Sequence, residues 1–229
     1  MAPVDINYQP ISEYLEKNYG SVLGSGSSRD TFEQISIIKR KVSGQKLEEF
    51  SETIIKLLDE LEISQIELFK LYPGLKQGLA SLKTMKIRTA LLSNIGKAAT
   101  ERFLEMNDLR ESFSVLFPRD AGTIGQISDT KIRLDQVMKE LGQKPSECMF
   151  FCNRLSQLQD GKTIKIRTFV LPGGKDRIDL LVKNKPDGML LSLEELPGLL
   201  SIEASRTAKI SSSNMRPNQE KDPATEGAV

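Results

Sequence analysis

From Asp30 to Leu71 apolar residues recur at every third or fourth position, the spacing of one helix face turned to a core. Phe32, Ile35, Ile38 and Val42 make one stripe, ended by Gly44; Leu47, Phe50, Ile54, Leu57, Leu58 and Leu61 make a second; Ile66, Leu68, Phe69 and Leu71 make a third. Ser64, with Glu67 three residues on, predicts a capped start for the third helix. Ile11, Tyr14 and Leu15 predict a further helix over Ile11–Tyr19, closed by Gly20. Consecutive helices without a strand between them predict a small helical module over residues 11–71. Ahead of it, residues 1–10 form a short segment in which Pro3 and Pro10 limit any strand to a few residues.

The pattern changes at Tyr72-Pro73-Gly74. Short apolar runs at Ile87–Leu92, Val115–Phe117, Cys148–Cys152, Ile166–Leu171 and Met189–Leu191 read as strands. Between them lie helical spacings: Leu75, Leu79 and Leu82; Ala98–Met106; Lys131–Leu141 with Ile132, Leu134, Val137, Met138 and Leu141 inward; and Leu193–Leu200, interrupted at Pro197. Strand alternating with helix predicts an α/β core with a doubly wound parallel sheet over residues 72–201. Residues 202–229 turn to Ser, Asn, Pro and charges and read as a disordered tail.

Composition narrows the function. A net charge of +1 gives no general field to gather nucleic acid or an anionic membrane, so neither is expected as a partner. No apolar run approaches the ~18 residues of a membrane helix, and the first residues lack a basic-then-apolar signal, so a cytoplasmic setting is expected. Cys148 and Cys152 share one face of a strand, too far apart along it to bridge, and read as reduced core thiols. With no histidine in the chain, a zinc site, a Ser-His-Asp triad and a Cys-His dyad are excluded. Gly24–Ser28 lacks the Gly-Lys-Ser ending of a phosphate loop and reads as a flexible connection; Lys39, Arg40 and Lys41 read as a solvated helix face.

The stretch C-M-F-F-C-N-R-L-S-Q-L-Q-D-G, Cys148 to Gly161, carries the main question. Its apolar run stops abruptly at Asn153, as a buried strand does when it emerges at its carboxyl end, where open α/β sheets bind ligands. The loop offers the amides Asn153 and Gln157 where acid or metal chemistry wants carboxylates.

Together, Y-P-G-L-K-Q-G-L-A-S-L from Tyr72, L-L-S-N at Leu91–Asn94, and K-P-D-G-M-L-L-S-L-E-E-L-P-G-L-L near the end resemble the haloacid dehalogenase (HAD) superfamily over about Tyr72–Leu200. The resemblance implies a magnesium-dependent phosphohydrolase fold whose preceding helices form a cap. It places Ser93 and Asn94 in the second motif and Lys131 as the phosphate-holding lysine. The late acidic motif falls on Asn153 and Gln157, with Asp160 as a substitute acid. The first motif, an Asp-x-Asp, is matched by Val4-Asp5-Ile6-Asn7, which makes Asp5 the candidate nucleophile and puts Asn7, unable to act as a general acid, second.

The expected function is a HAD-like protein with a degenerate site: a binding module, inactive or nearly so, that retains phosphate or anion binding and meets a phosphate-bearing small molecule or protein partner. It would need no cofactor if inactive and magnesium if active. The alternatives are an active phosphohydrolase using Asp5, helped by Asp160 or Asp120, and a scaffold acting through the cap helices or the tail.

Overall fold

A computed structural model of the chain describes residues 6–24, 30–119, 130–173 and 177–202. The first third is helical. α1 (Gln9–Leu23) carries Pro10 in its first turn, where a missing N–H costs nothing, and is followed by α2 (Thr31–Lys41) and α3 (Gln45–Gln65). The Asp30 carboxylate caps α2 by accepting the Glu33 N–H at 2.9 Å. Lys39, Arg40 and Lys41 lie in its last turn, where cations oppose the helix dipole, and the Lys41 ammonium donates to the Val22 carbonyl at 2.6 Å. Leu15, Ile35, Ile38, Phe50, Ile54 and Leu58 meet in one closed cluster.

Two expectations fail in this module. α1 does not end at Gly20; it bends at Tyr19 and runs on to Leu23, closing on Gly24. No third helix starts at Ser64. The Ser64 hydroxyl donates to the Leu61 carbonyl at 2.7 Å, so it is satisfied inside the last turn of α3 instead of opening a new helix. Only a 3-10 turn, Ile66–Leu68, follows.

The remainder alternates: α4 (Leu75–Thr84), β1 (Ala90–Gly96), α5 (Lys97–Met106), β2 (Val115–Arg119), α6 (Thr130–Leu141), β3 (Met149–Cys152), α7 (Leu155–Thr163), β4 (Arg167–Val170), α8 (Ile178–Lys183) and β5 (Gly188–Met189). Every strand pairing is parallel, giving the expected α/β class with a helical cap. β1 begins later than the apolar run suggests. Lys86 takes a left-handed φ of 57° and the Ile87 N–H turns back to the Leu82 carbonyl, so Ile87 closes α4 rather than starting a strand. β1 then continues through Ser93 and Asn94 to Gly96.

α6 is turned relative to expectation. Ile132 is 42% exposed, and the buried face is Thr130, Arg133, Leu134, Val137 and Met138. The buried arginine sets that rotation, as its bonds below show. At the end of the described chain, a 3-10 turn (Leu193–Glu195) leads into a helix over residues 196–202, with Pro197 in its first turn rather than interrupting it. This end is clasped to the start of the α/β region. The Tyr72 hydroxyl donates to the Leu190 carbonyl at 3.2 Å and the Leu193 N–H to the Pro73 carbonyl at 2.9 Å. Gly74, at φ 69°, has Ser192 and Glu194 packed where a Cβ would stand.

The sheet is divided. Among the described residues β1–β2 form one ladder and β3–β4–β5 another, and a cleft of about 810 Å³ lies between β1 and β3. The two halves share one apolar cluster, in which Leu91 and Phe151 pack against buried Leu190, Leu193 and Leu196.

Candidate functional site

The strands deliver their polar residues at their carboxyl ends. Ser93 is buried; its hydroxyl accepts the Ile95 N–H at 3.1 Å and lies 3.4 Å from the Thr100 hydroxyl. Asn94, half-buried beside it, is gripped by two buried arginines. Arg133 of α6 donates to the Asn94 side-chain oxygen at 2.5 Å, to the Ser93 carbonyl at 2.6 Å and to the Phe117 carbonyl at 2.9 Å, with its guanidinium over the Phe117 ring. Arg119, the last residue of β2, donates to the Asn94 carbonyl at 3.2 Å.

Arg119 also ties the cap to the core. Its guanidinium makes a two-pronged pair with the fully buried Glu62 of α3, at 2.6 and 2.9 Å, and lies 3.7 Å from Asp59. The Glu62 carboxylate accepts two more bonds, from the Gly96 N–H at 2.7 Å and the Tyr8 hydroxyl at 2.8 Å. With four donors around it, this carboxylate repays much of its desolvation. Burial raises the Tyr8 hydroxyl well above its ordinary pKa, and the neighbouring Glu62 charge raises it further. Burial likewise raises the Asp59 carboxyl, with Arg119 opposing.

Of the residues singled out from sequence, Ser93 and Asn94 are brought together. Lys131 is exposed in the first turn of α6, and the cation that reaches Ser93 and Asn94 is Arg133, two residues on. Asn153 and Gln157 are half-buried at the end of β3 and the first turn of α7, where the Gln157 side-chain oxygen accepts the Asn153 N–H at 3.4 Å. They line the same cleft as Leu91, Leu92 and Ile95 of β1. Asp160 is half-buried, further along α7. Asp5, Asp120 and the tail from residue 203 lie outside the described residues. Ile6 and Asn7 belong to no strand; Ile6 packs on the shared apolar cluster and the Asn7 N–H donates to Gln65 at 3.0 Å.

Sequence reasoning missed Arg133, Arg119, Glu62 and Tyr8. For Arg133 a signal existed: it stands on the Thr130-Leu134-Val137 face, where a charged residue must have buried partners.

Magnesium, which the resemblance implies, seeks anionic oxygens. At the end of β3 the described donors are neutral amides, one already engaged, and no group of three or more metal-ligating side chains occurs among the described residues. The described residues at this strand end, Asn153 and Gln157, by themselves do not fit the ion. Burial pushes the Cys152 thiol up to about 12 and also raises that of Cys148; both cysteines are free thiols.

The sequence pattern of haloacid dehalogenase-like hydrolases matches residues 5–151. No curated protein matches the chain. Among solved structures the chain is similar to a haloacid dehalogenase-like hydrolase of Bacteroides fragilis (16% identity, TM-score 0.57, 82% of this chain and 90% of that one). It is also similar to beta-phosphoglucomutase of Clostridium difficile (15% identity, TM-score 0.56, 91% and 85%). A third is CbbY of Rhodobacter sphaeroides in complex with phosphate (16% identity, TM-score 0.52, 84% and 93%). At these identities the neighbours establish the fold, and the family match covers well over half the chain. The chain therefore belongs to the haloacid dehalogenase-like hydrolase family.

Proposed function

We propose that this family member is an anion-binding module that recognises a phosphate-bearing ligand without magnesium-dependent hydrolysis. The observation that carries the reading is the contrast between the two strand ends. At the end of β1 the buried Ser93 hydroxyl and the half-buried Asn94 are held in place by Arg133 and Arg119, while at the end of β3 the loop carries the amide side chains of Asn153 and Gln157, the Gln157 oxygen accepting the Asn153 backbone N–H. Polar groups of the second motif are thus held in place at the end of β1, although both arginine forks are taken up by protein partners, while the end of β3 offers neutral amides where a metal wants anionic oxygens. Lys131, exposed at the head of α6, is the cation that would meet the ligand.

Two measurements test this. Isothermal calorimetry with inorganic phosphate or tungstate should show saturable binding that Lys131→Ala weakens. An aryl phosphate with magnesium should give no turnover above a Ser93→Ala, Lys131→Ala double variant. Clear turnover abolished by either single substitution would sink the reading.

The second reading is an active phosphohydrolase with Asp5 as nucleophile and Asp160 or Asp120 assisting a magnesium ion. It draws support from Ile6, which follows Asp5 directly and packs against the core cluster shared by Leu91 and Phe151. Asp5→Asn separates the two: it abolishes turnover in the second reading and leaves phosphate binding intact in the first.

A further inference from the structure

Gly96, the last residue of β1, is also the N-cap of α5, so its N–H has no partner within that helix. The start of a helix favours negative charge. Glycine leaves the space beside this N–H open to another element: a Cβ at position 96 would collide with the Asp59 carboxylate and crowd Glu62 and Arg119, at 3.0 and 3.1 Å. The space is filled by a carboxylate from the cap. Each Glu62 oxygen accepts from two donors: Oε1 from the Tyr8 hydroxyl at 2.8 Å and Arg119 Nη1 at 2.6 Å, Oε2 from the Gly96 N–H at 2.7 Å and Arg119 Nη2 at 2.9 Å.

Host and guest come from different parts of the molecule. Gly96 and Arg119 are register partners at the ends of β1 and β2, and the Asn94 carbonyl, accepting from Arg119 at 3.2 Å, holds the guanidinium in the core. Glu62 belongs to α3 of the cap. A planar fork, a backbone N–H at a helix start and a hydroxyl together suit the two oxygens of a carboxylate, whichever molecule carries it.

We propose that the paired ends of β1 and β2 form a carboxylate-binding site that Glu62 fills in cis, latching the cap to the core, and that a ligand carboxylate enters by displacing Glu62. Entry of the ligand and release of α3 are then one event. A group tethered to the same chain competes at an effective concentration of about millimolar or above, so a free carboxylate succeeds only beyond that concentration or with a second anchor on the protein. The inference uses neither Ser93 nor Lys131 and does not depend on the phosphate-binding reading.

The test uses the full chain carrying Glu62→Ala, with acetate as the probe, because acetate replaces the Cγ and carboxylate that the substitution removes. Hydrogen exchange at the Gly96 amide reads the pocket and thermal unfolding reads the latch, with sodium chloride at equal ionic strength as the control. In chloride, Glu62→Ala should speed Gly96 exchange about tenfold or more. Acetate should reverse this and raise the unfolding temperature saturably, at concentrations about tenfold or more below those that affect the unsubstituted chain. Adding Arg119→Leu should remove the response. Where Glu62→Ala is unfolded in chloride, recovery of the folded chain in acetate alone is the same expected result. Glu62→Gln, which keeps the shape and weakens the competitor, should also lower the acetate concentration needed. Equal responses to acetate and chloride overturn the proposal. So does an acetate response as strong with Glu62 in place, and so does Gly96 exchange that neither substitution of Glu62 changes.

Discussion

The cap and the α/β region solve the same problem with different completeness. In the cap, α1, α2 and α3 close all their apolar stripes on one another, and Leu15, Ile35, Ile38, Ile54 and Leu58 reach 0% exposure. In the α/β region the apolar residues leave a cleft, because among the described residues no strand lies between β1 and β3. A helix satisfies its backbone within itself, so three amphipathic helices suffice for a core. A strand depends on neighbours for its hydrogen bonds, so its packing is complete only where a second strand lies beside it.

The junction between the two regions should show the largest effect when broken. Glu62→Ala leaves the Arg119 guanidinium buried with its main partner gone, and a loss of about 3–5 kcal/mol is expected in denaturant unfolding. Asp59 is too distant and too exposed to replace it. Next comes a matched pair of truncations that tests the contrast itself. Leu58→Ala in the closed cap cluster should cost about 2–5 kcal/mol. Leu91→Ala, on the cleft wall, should cost less than about 1.5 kcal/mol, since little packing is lost beside open space. Equal costs would show that the cleft is closed in solution.

The alkaline limb of stability is a smaller effect, led by a thiol on the α/β side. The Cys152 thiol is raised by burial from 9.0 to about 12. Its contribution is therefore complete below pH 9 and is lost as pH climbs towards 12, at about 1.4 kcal/mol per pH unit for one ionising group. Tyr8, also raised, adds to the slope from about pH 10. Urea midpoints measured from pH 8 to 11 should fall along this line, less steeply in Cys152→Ala. The smallest expected effect is that of Lys131→Ala, which should leave stability within about 0.5 kcal/mol while weakening phosphate binding in calorimetry.

The parts legible in the sequence were those governed by local spacing. The stripes from Phe32 to Leu61 specify the cap, and alternating runs from Leu75 to Leu193 specify the parallel α/β class, because both signals repeat within a few residues. The errors came where one side chain chose a distant or competing partner. The Ser64 hydroxyl bonded backwards and removed a helix. Arg133 drew α6 round towards Ser93 and Phe117, exposing Ile132. The Glu62–Arg119 pair joins residues 57 apart in the chain, and no periodicity announces it. The amides at Asn153 and Gln157 were readable at once, since only their position on a strand end had to be known.

The clasp between Tyr72–Gly74 and Leu190–Leu193 also fixes an order of assembly. It joins the first and last parts of the α/β region across 118 residues, so that region cannot be finished until its closing helix has left the ribosome. The three cap helices are complete by Gln65, about 130 residues earlier. At a synthesis rate of roughly 5–20 residues per second, the cap has on the order of 7–26 seconds to fold before the clasp can shut. During each round of synthesis, the nascent chain thus presents a finished helical head on an open parallel sheet.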